Sequence, residues 1–255
     1  MIRRIILMLT AFGATVAAQW LNYPAPGIPR LPDGRPNLSA PTPRSSDGKP
    51  DLYGTWASDN LTPSPFGTMM ATFDIKPEEI VLTPEGEALQ RRRKESYFPG
   101  AQCLPLNLAA FATLWPFKIF AARGTVVLLY EYLSTYRQVL MDGRDLPKDP
   151  DPTCMGYSVG KWDGDTLVVD TSGFNDAEEI LPGRRPHSNA LHIIERFRRR
   201  DFGHLEIQFT IDDSKVYAKP WSFKTNHHLV PDTELLEYIC NENEKDLKHM
   251  VGVDK

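Results

Sequence analysis

The chain has 255 residues, 41% of them hydrophobic, so it is long enough to bury a full hydrophobic core. Its formal net charge of −4 argues against a nucleic-acid partner, because such binding rests on lysine and arginine side chains at phosphates. The sequence contains no phosphate-binding loop, dinucleotide fingerprint, nucleophile elbow or zinc-ligand spacing. We therefore predict neither a cofactor nor a metal.

Residues 1–18 have the layout of a secretory signal peptide. Arg3 and Arg4 precede an apolar run from Ile5 to Thr15, and small residues follow up to Ala18. The run is shorter than the roughly 20 residues that span a bilayer, although an N-terminal membrane anchor is the alternative. We expect a periplasmic or secreted protein without stable membrane insertion. Cleavage would leave 27 basic against 33 acidic residues, a net charge of −6.

Residues 19–50 are rich in proline and glycine, which predicts an extended arm or linker ahead of a single β-rich domain over residues 51–255. Two short stretches in this region echo each other, Asp33–Leu38 (DGRPNL) and Asp47–Leu52 (DGKPDL). The echo is too short to predict a structural repeat.

A helix is predicted to begin after Thr83, which suits the N-cap, with Pro84 at the first helical position. Glutamates follow in the first turn, and the basic run Arg91–Lys94 lies near the other end, where it complements the helix dipole. We interpret this basic run as a solvated helix end rather than a binding patch.

From residue 118 onward the sequence is almost entirely β in character. The predicted strands, each short and bounded by glycine, proline or aspartate, are 125–132, 136–142, 156–162, 165–171, 190–199, 204–212, 217–225 and 234–240. This predicts an all-β fold with a minor helix, as an antiparallel, lipocalin-like β-barrel or, alternatively, a β-sandwich. Gly54-Thr55-Trp56 resembles the Gly-x-Trp that opens the first strand of lipocalin-type barrels, which bind small apolar molecules.

Two hairpins can be registered from the sequence. A two-residue turn at Asp163-Gly164 places Val159 opposite Val168 and Tyr157 opposite Asp170.

The second hairpin turns through a three-residue loop that ends at Gly203, a residue able to adopt the left-handed conformation. This loop pairs apolar positions with each other on one face of the two strands. The resulting pairs are Ile193–Ile211, Glu195–Phe209 and Phe197–Ile207 on that face, with His192–Asp212, Arg196–Gln208 and Arg198–Glu206 on the other.

Glu195 is the only carboxylate on that apolar face, which it shares with Leu191, Ile193 and Phe197. A carboxyl group in an apolar pocket is a usual form of general acid or base. The alternative is a buried structural ion pair with an arginine or lysine of another strand, for example Arg137 or Lys219.

Histidines supply the other candidate catalytic groups. His187 follows Pro186 in the predicted loop 173–189, which could cover a barrel mouth, so we consider it a second proton carrier or an exposed loop residue. His192 and Asp212 form either an acid/base dyad or a cross-strand surface pair.

A metal cluster of His187, His228 and Glu195 has no support from residue spacing. Of the adjacent His227 and His228, one must face inward in an extended segment.

Four aromatic residues are predicted to shape a ligand pocket, with an ordinary hydrophobic core as the alternative. They are Phe197, Phe209, Trp221 and Tyr130.

Several stretches between residues 50 and 243 together resemble a large family of uncharacterised secreted bacterial proteins. The stretches are Pro50–Trp56, Gly160–Thr171 with Gly173-Phe174, His187-Ser188, Leu191-His192, Glu195–Phe197, Ile211–Asp213, Pro220-Trp221 and Glu237–Asn243. The resemblance implies export and a single domain, and it implies no mechanism.

In an exported protein the three cysteines are expected to form one disulfide, for which Cys103 with Cys240 is preferred. The resemblance implies no cysteine in the proline-rich stretch around Cys154, so we expect Cys154 to be the unpaired thiol.

The sequence supports three functional hypotheses. The first is an exported barrel that takes up a small apolar or aromatic molecule and performs cofactor-independent elimination, isomerisation or hydrolysis through Glu195 and His187. The second is a binding or carrier protein of the same shape without chemistry. The third is a structural protein of the cell envelope.

Overall fold

A computed structural model describes residues 23–59, 61–63, 69–71, 77–94, 105, 108–109, 115–176, 179–180 and 185–239. The strands are β1 Gly54–Ser58, β2 Leu61–Pro63, β3 Met69–Ala71, β4 Phe117–Ala122, β5 Thr125–Tyr130, β6 Thr135–Leu140, β7 Tyr157–Asp163, β8 Thr166–Ser172, β9 Glu179–Ile180, β10 Arg185–Pro186, β11 His192–Arg199, β12 His204–Asp212 and β13 Trp221–Leu229. The helix α1 spans Pro84–Lys94, and short 3₁₀ turns lie at Pro77–Glu79 and Tyr132–Ser134. The predicted signal peptide lies outside the described residues.

Nine of these strands form a closed barrel in the order β1-β13-β12-β11-β8-β7-β6-β5-β4, so the predicted β-barrel is confirmed. Neighbouring strands are antiparallel from β4 to β6 and from β7 through β8, β11 and β12 to β13, and β1 closes the ring between β13 and β4. Strands that alternate in direction can close a ring only when their number is even. Nine strands therefore require a parallel neighbour pair, and this pair is β6–β7.

The barrel interior is packed with side chains from the inward-facing position of every second strand residue. Phe209 stacks on Phe223 with ring centroids 4.8 Å apart, and Trp221 lies 5.8 Å from Phe223. The largest fully buried side chains are Trp56, Tyr130, Tyr217, Phe117, Phe174, Phe197, Phe209, Leu108, Ile119, Leu128 and Leu167.

The predicted register of the β11–β12 hairpin is confirmed at every pair, including Glu195 opposite Phe209. The reason assigned to Gly203 was wrong, because its φ is not positive. A Cβ at Gly203 would lie 2.4 Å from the Cβ of Leu38, and its amide donates to the Leu38 carbonyl at 2.7 Å. Glycine is needed here for the close approach of the N-terminal arm.

The predicted register of the β7–β8 hairpin was wrong by two residues. Asp163 pairs with Thr166, so Val159 lies opposite Asp170. The turn is centred on Gly164-Asp165, with Gly164 at φ 59° in the first central position that a type II′ turn requires. An even shift keeps every side chain on its predicted face.

Three strand predictions need correction. β4 was not predicted as a strand, and the strand predicted at 217–225 lies at Trp221–Leu229 instead. Residues 234–239 of the predicted last strand form no strand, and Cys240 lies outside the described residues. Tyr217 is buried beside α1 and forms a β-bridge with Leu82, so it is not part of a barrel strand.

The predicted helix is confirmed, and its N-cap is the expected one. The Thr83 hydroxyl accepts a hydrogen bond from the Gly86 amide at 3.0 Å. A Cβ at Gly86 would lie 2.3 Å from the Val216 carbonyl oxygen, so this glycine lets the helix pack directly on the backbone of the connection between β12 and β13.

The N-terminal arm contains a structural repeat, and the expectation from the sequence was wrong on this point. Arg30 Nη1 donates to the Gly34 carbonyl at 3.1 Å, and Arg44 Nη1 donates to the Gly48 carbonyl at 2.8 Å. The backbone hydrogen bonds of the two turns also match. In the first turn the amides of Leu31, Gly34 and Asn37 donate to the carbonyls of Arg35, Leu31 and Pro29, respectively. In the second turn the amides of Ser45, Gly48 and Asp51 donate to the carbonyls of Lys49, Ser45 and Pro43. Local hydrogen bonds of Asp-Gly turns define this unit, so it needs no core of its own.

The arm closes one end of the barrel. Arg199, 5% exposed, donates to the carbonyls of Asp51 and Tyr53 at 2.5 and 3.2 Å, and its guanidinium lies 4.9 Å from the Trp56 ring. The Trp56 indole donates to the Leu52 carbonyl at 3.1 Å. Trp56 of the Gly-x-Trp segment, in β1 of the barrel wall, therefore links this wall to the end of the arm. Burial lowers the pKa of Arg199 to about 10.

Candidate functional site

The β6–β7 junction, which we call the seam, is the weakest pairing in the barrel wall. β6 and β7 pair only at Val139–Ser158 and Leu140–Val159. Just before β7 the chain bends away from β6 at Gly156, whose φ is 63°. Thr153 forms a β-bridge with Phe174 instead of pairing with β6. A Cβ at Gly156 would lie 2.8 Å from the Ser172 carbonyl oxygen, so glycine allows this departure.

Arg137 spans the seam from the inside of the barrel. Its Nη1 and Nη2 bind the two carboxylate oxygens of Glu195 at 3.0 and 2.5 Å. Its Nε donates to the Ser158 hydroxyl at 2.9 Å and its Nη2 to the Thr171 hydroxyl at 2.8 Å. One guanidinium thus joins β6 to β7, β8 and β11, which compensates for the short ladder at this junction.

The cluster is shielded from solvent. The side chains of Arg137 and Glu195 are 2% and 1% exposed. Burial alone would lower the pKa of Arg137, but the charges and hydrogen bonds of Glu195 and Tyr130 together outweigh this effect, and the pKa lies above its ordinary value. The nearby Tyr130 is also buried, and burial raises its pKa to about 12. The bidentate contact with Glu195 therefore stabilises the charged form of Arg137.

Glu195 thus forms a buried ion pair with Arg137, which was the alternative interpretation of this residue. Lys219, the other partner considered, is exposed. Both oxygens of Glu195 are bound to Arg137, so proton transfer by this carboxylate would first require the pair to open.

His192 and Asp212 lie opposite each other as predicted, but they form no hydrogen-bonded dyad. The His192 Nε2 pairs with an oxygen of Asp170 on the other neighbouring strand, β8. Both side chains are partly exposed on the outer face of the barrel, on the side away from Glu195.

His187 is buried, which contradicts its interpretation as an exposed loop residue. Its ring lies 6.2 Å from Phe174 in an edge-on contact, and its Nδ1 lies 3.1 Å from the Ser188 carbonyl oxygen. The next residue is held by Asp213, which accepts hydrogen bonds from the amide and hydroxyl of Ser188 at 2.6 and 2.9 Å.

Of the two adjacent histidines, His227 faces inward and His228 outward. His227 is fully buried beside Phe117, and burial lowers its pKa to about 3. The Nδ1 of His228 pairs with Asp59 at 2.5 Å on the outer surface. The part of the chain that the structure describes holds no group of three His, Cys, Asp or Glu residues able to bind a metal.

The predicted pocket residues all lie in the barrel interior, at 0–3% exposure. Phe209 pairs with Glu195, Phe197 follows two residues later on β11, and Tyr130 lies by Arg137. Trp221 lies farther along, opposite Ile211. These side chains are packed against each other, so they form core rather than an open cavity.

An open cavity lies at the seam instead. A cleft of about 670 Å³ enters between β6 and the segment before β7, and Arg137 and Ser158 are part of its lining. Its other lining residues are Tyr136, Gln138, Leu140, Arg144, Asp145, Pro147, Thr153, Met155, Gly156, Tyr157 and Val159.

Sequence reasoning missed the cleft and the hydroxyl partners of Arg137. The same period of two that singled out Glu195 puts Arg137 on the inward face with Val139, so an inward arginine was detectable. Ser158 and Thr171 gave no such signal, because small hydroxyl residues occur on both faces of strands.

The predicted disulfide between Cys103 and Cys240 lies outside the described residues. The Sγ of Cys154 accepts a hydrogen bond from the side-chain amide of Asn175 at 3.3 Å.

No family model, curated protein or solved structure matches the chain, so the suspected family stays a prediction. Within the described residues, none of the helices is long and apolar enough to span a bilayer.

Proposed function

We propose that the protein binds a small, mainly apolar or aromatic molecule in the cleft at the seam. The observation that carries this proposal is a cavity of about 670 Å³ whose lining includes Arg137 and Ser158 of the seam. Its volume lies in the range typical of ligand sites, roughly 300–1,000 Å³.

The walls of the cleft suit an apolar or aromatic ligand. Leu140, Met155 and Val159 contribute apolar surface. Tyr136 and Tyr157 are 61% and 37% exposed, so their rings are available for contact. Aromatic side chains with an apolar face and a polar tip are favourable at such sites because they lose little conformational entropy on binding.

The charges at the cleft disfavour an anionic ligand. Arg137 is compensated by Glu195 at its floor, and Arg144 at its rim is paired with Asp142 at 2.5 Å. An anionic ligand would be desolvated against these pairs, and it would also meet the carboxylate of Asp145 in the lining.

Binding without chemistry is favoured over acid/base catalysis by the state of Glu195. Elimination, isomerisation or hydrolysis through Glu195 and His187 stays a prediction that requires the Arg137–Glu195 pair to open. Export to the periplasm or medium is part of the proposal, and it rests on the composition of residues 1–18.

The test compares the native and denatured masses of the exported protein. We expect an organic adduct in the native mass that Gln138→Trp removes, because Gln138 is exposed and lines the cleft. The matched control is Gln208→Trp, on the outer face of β12 away from the cleft, which should keep the adduct. An adduct retained equally by both variants would place the ligand elsewhere. A bare protein that also fails to take up an apolar aromatic probe would contradict the proposal.

A further inference from the structure

Within the described part of the chain, one edge of β6 has a stretch without a neighbouring strand. Along its whole length β6 pairs with β5, from Tyr130–Thr135 to Thr125–Leu140. On its other side it pairs only at Val139 and Leu140. Among the residues that the structure describes, no strand pairs with this side of Thr135–Gln138, and the cleft lies against it.

The opening is built into the fold. A β7 that extended backward would run beside residues 135–138, but the chain turns away at Gly156 toward the end of β8. Thr153 donates from its amide to the Gly173 carbonyl at 3.0 Å and accepts from the Asn175 amide at 2.9 Å. These hydrogen bonds pair the backbone before β7 with the residues that follow β8, so this backbone does not pair with β6.

An open strand edge presents unpaired backbone N–H and C=O groups at regular spacing, and these groups bind extended chains. Four residues of β6 span about 13 Å, at roughly 3.3 Å per residue. A strand added there would place alternate side chains toward the floor at Arg137 and Ser158. The intervening side chains would lie beside Tyr136 and Tyr157 at the rim.

We propose that the ligand of this cleft is a short extended peptide of about three or four residues that adds as a strand to the open edge of β6. This inference rests on the proposed function and names its ligand class. Main-chain hydrogen bonds to residues 135–138 provide the affinity, and apolar or aromatic side chains fit the walls.

The experiment titrates the full-length protein by calorimetry with an acetylated, amidated tetrapeptide of alternating valine and threonine. A matched peptide carries N-methyl groups on alternate amides, which removes main-chain donors and keeps the side chains. We expect the first peptide to bind and the methylated one to bind about tenfold more weakly, the loss of one or two net hydrogen bonds. Gln138→Trp should abolish binding, and Gln208→Trp should leave it unchanged.

A parallel titration uses N-phenyl-1-naphthylamine, a neutral aromatic probe without peptide groups. If this probe binds in a manner that Gln138→Trp blocks, and the peptides do not bind or bind equally, the strand-addition inference fails and the proposed function survives. If neither probe nor peptide binds, both fail. A dimer that Gln138→Trp abolishes would assign the edge to a second copy of the chain and overturn the inference.

Discussion

The wall formed by β11 and β12 and the seam between β6 and β7 close the same barrel by different means. β11 and β12 pair at eight successive positions, from His192–Asp212 to Arg199–Leu205. The seam has two pairs and depends on one buried guanidinium that reaches three other strands. The difference shows that a barrel with an odd number of strands can replace a missing ladder with a side-chain cluster, and that the replacement leaves room for a cleft.

The largest expected effect is the loss of Arg137. Arg137→Met leaves Glu195 as an uncompensated buried charge, and we expect the free energy of unfolding to fall by about 3–5 kcal/mol. Chemical denaturation of the variant and the wild type measures this loss.

The double variant Arg137→Met with Glu195→Leu is the control. It removes both charges, and it should recover most of the lost stability. If the single variant is as stable as the wild type, the seam is held by something other than this cluster.

The second expected effect compares two glycines with nearly equal φ. Gly156 at the seam has φ 63° and Gly164 in the β7–β8 turn has φ 59°, but only Gly156 faces a backbone oxygen, at 2.8 Å. Gly164→Ala should cost about 1–2 kcal/mol from its left-handed conformation. Gly156→Ala should cost about 1–3 kcal/mol more, because its Cβ also overpacks against β8. Thermal or chemical unfolding of the two variants provides the comparison.

Equal losses at the two glycines would mean that the chain before β7 can shift away from β8. In that case the departure at Gly156 would not be fixed by packing, and the cleft would not be a permanent feature of the seam.

The third effect concerns His227 on β13, which pairs with β12 of this wall, and it depends on pH. The folded-state pKa of His227 is about 3, below the unfolded value of about 6.5. The unfolded chain therefore binds the proton first, and stability is constant above about pH 6.5 and falls as the pH drops toward 3. We expect a loss of about 2 kcal/mol at pH 5 from this residue.

His227→Phe should remove that part of the pH dependence in denaturation curves recorded between pH 5 and 7. The adjacent His228→Gln is the control, since His228 faces outward beside Asp59 and should leave the dependence in place. A wild-type stability that does not change between pH 7 and 5 would contradict the burial of neutral His227.

The laddered wall was largely predictable from the sequence, and the seam was not. Alternation of apolar residues around Glu195 and Phe209 fixed both face and register of β11–β12, because one wrong step would have turned charged residues inward. The β7–β8 turn was less certain, since Asp163-Gly164 and Gly164-Asp165 are both acceptable turns and an even shift keeps the faces. Local sequence patterns thus predicted the strand faces of both hairpins and the register of one of them.

The seam joins β6 and β7 across the long connection 141–156, and no local pattern records a pairing of that kind. Arg137 could be identified as one of two candidate partners of Glu195, whereas the direction of the β6–β7 pair follows from the number of strands in the closed ring. The repeat in the arm was missed for a similar reason. It is defined by hydrogen bonds of Arg30 and Arg44 to their own turns, which apolar periodicity does not report.

Site-resolved hydrogen exchange tests the open seam most directly. In β6, alternate amides of Thr135–Gln138 face the cleft and should exchange much faster than the amides of Ile193–Phe197, which lie between two paired strands. This result would confirm an unpaired edge beside the Arg137 cluster, ready for a ligand. Protection of Thr135–Gln138 as strong as that of β11 would contradict the account, because the seam would then be closed and the cleft would have no free edge.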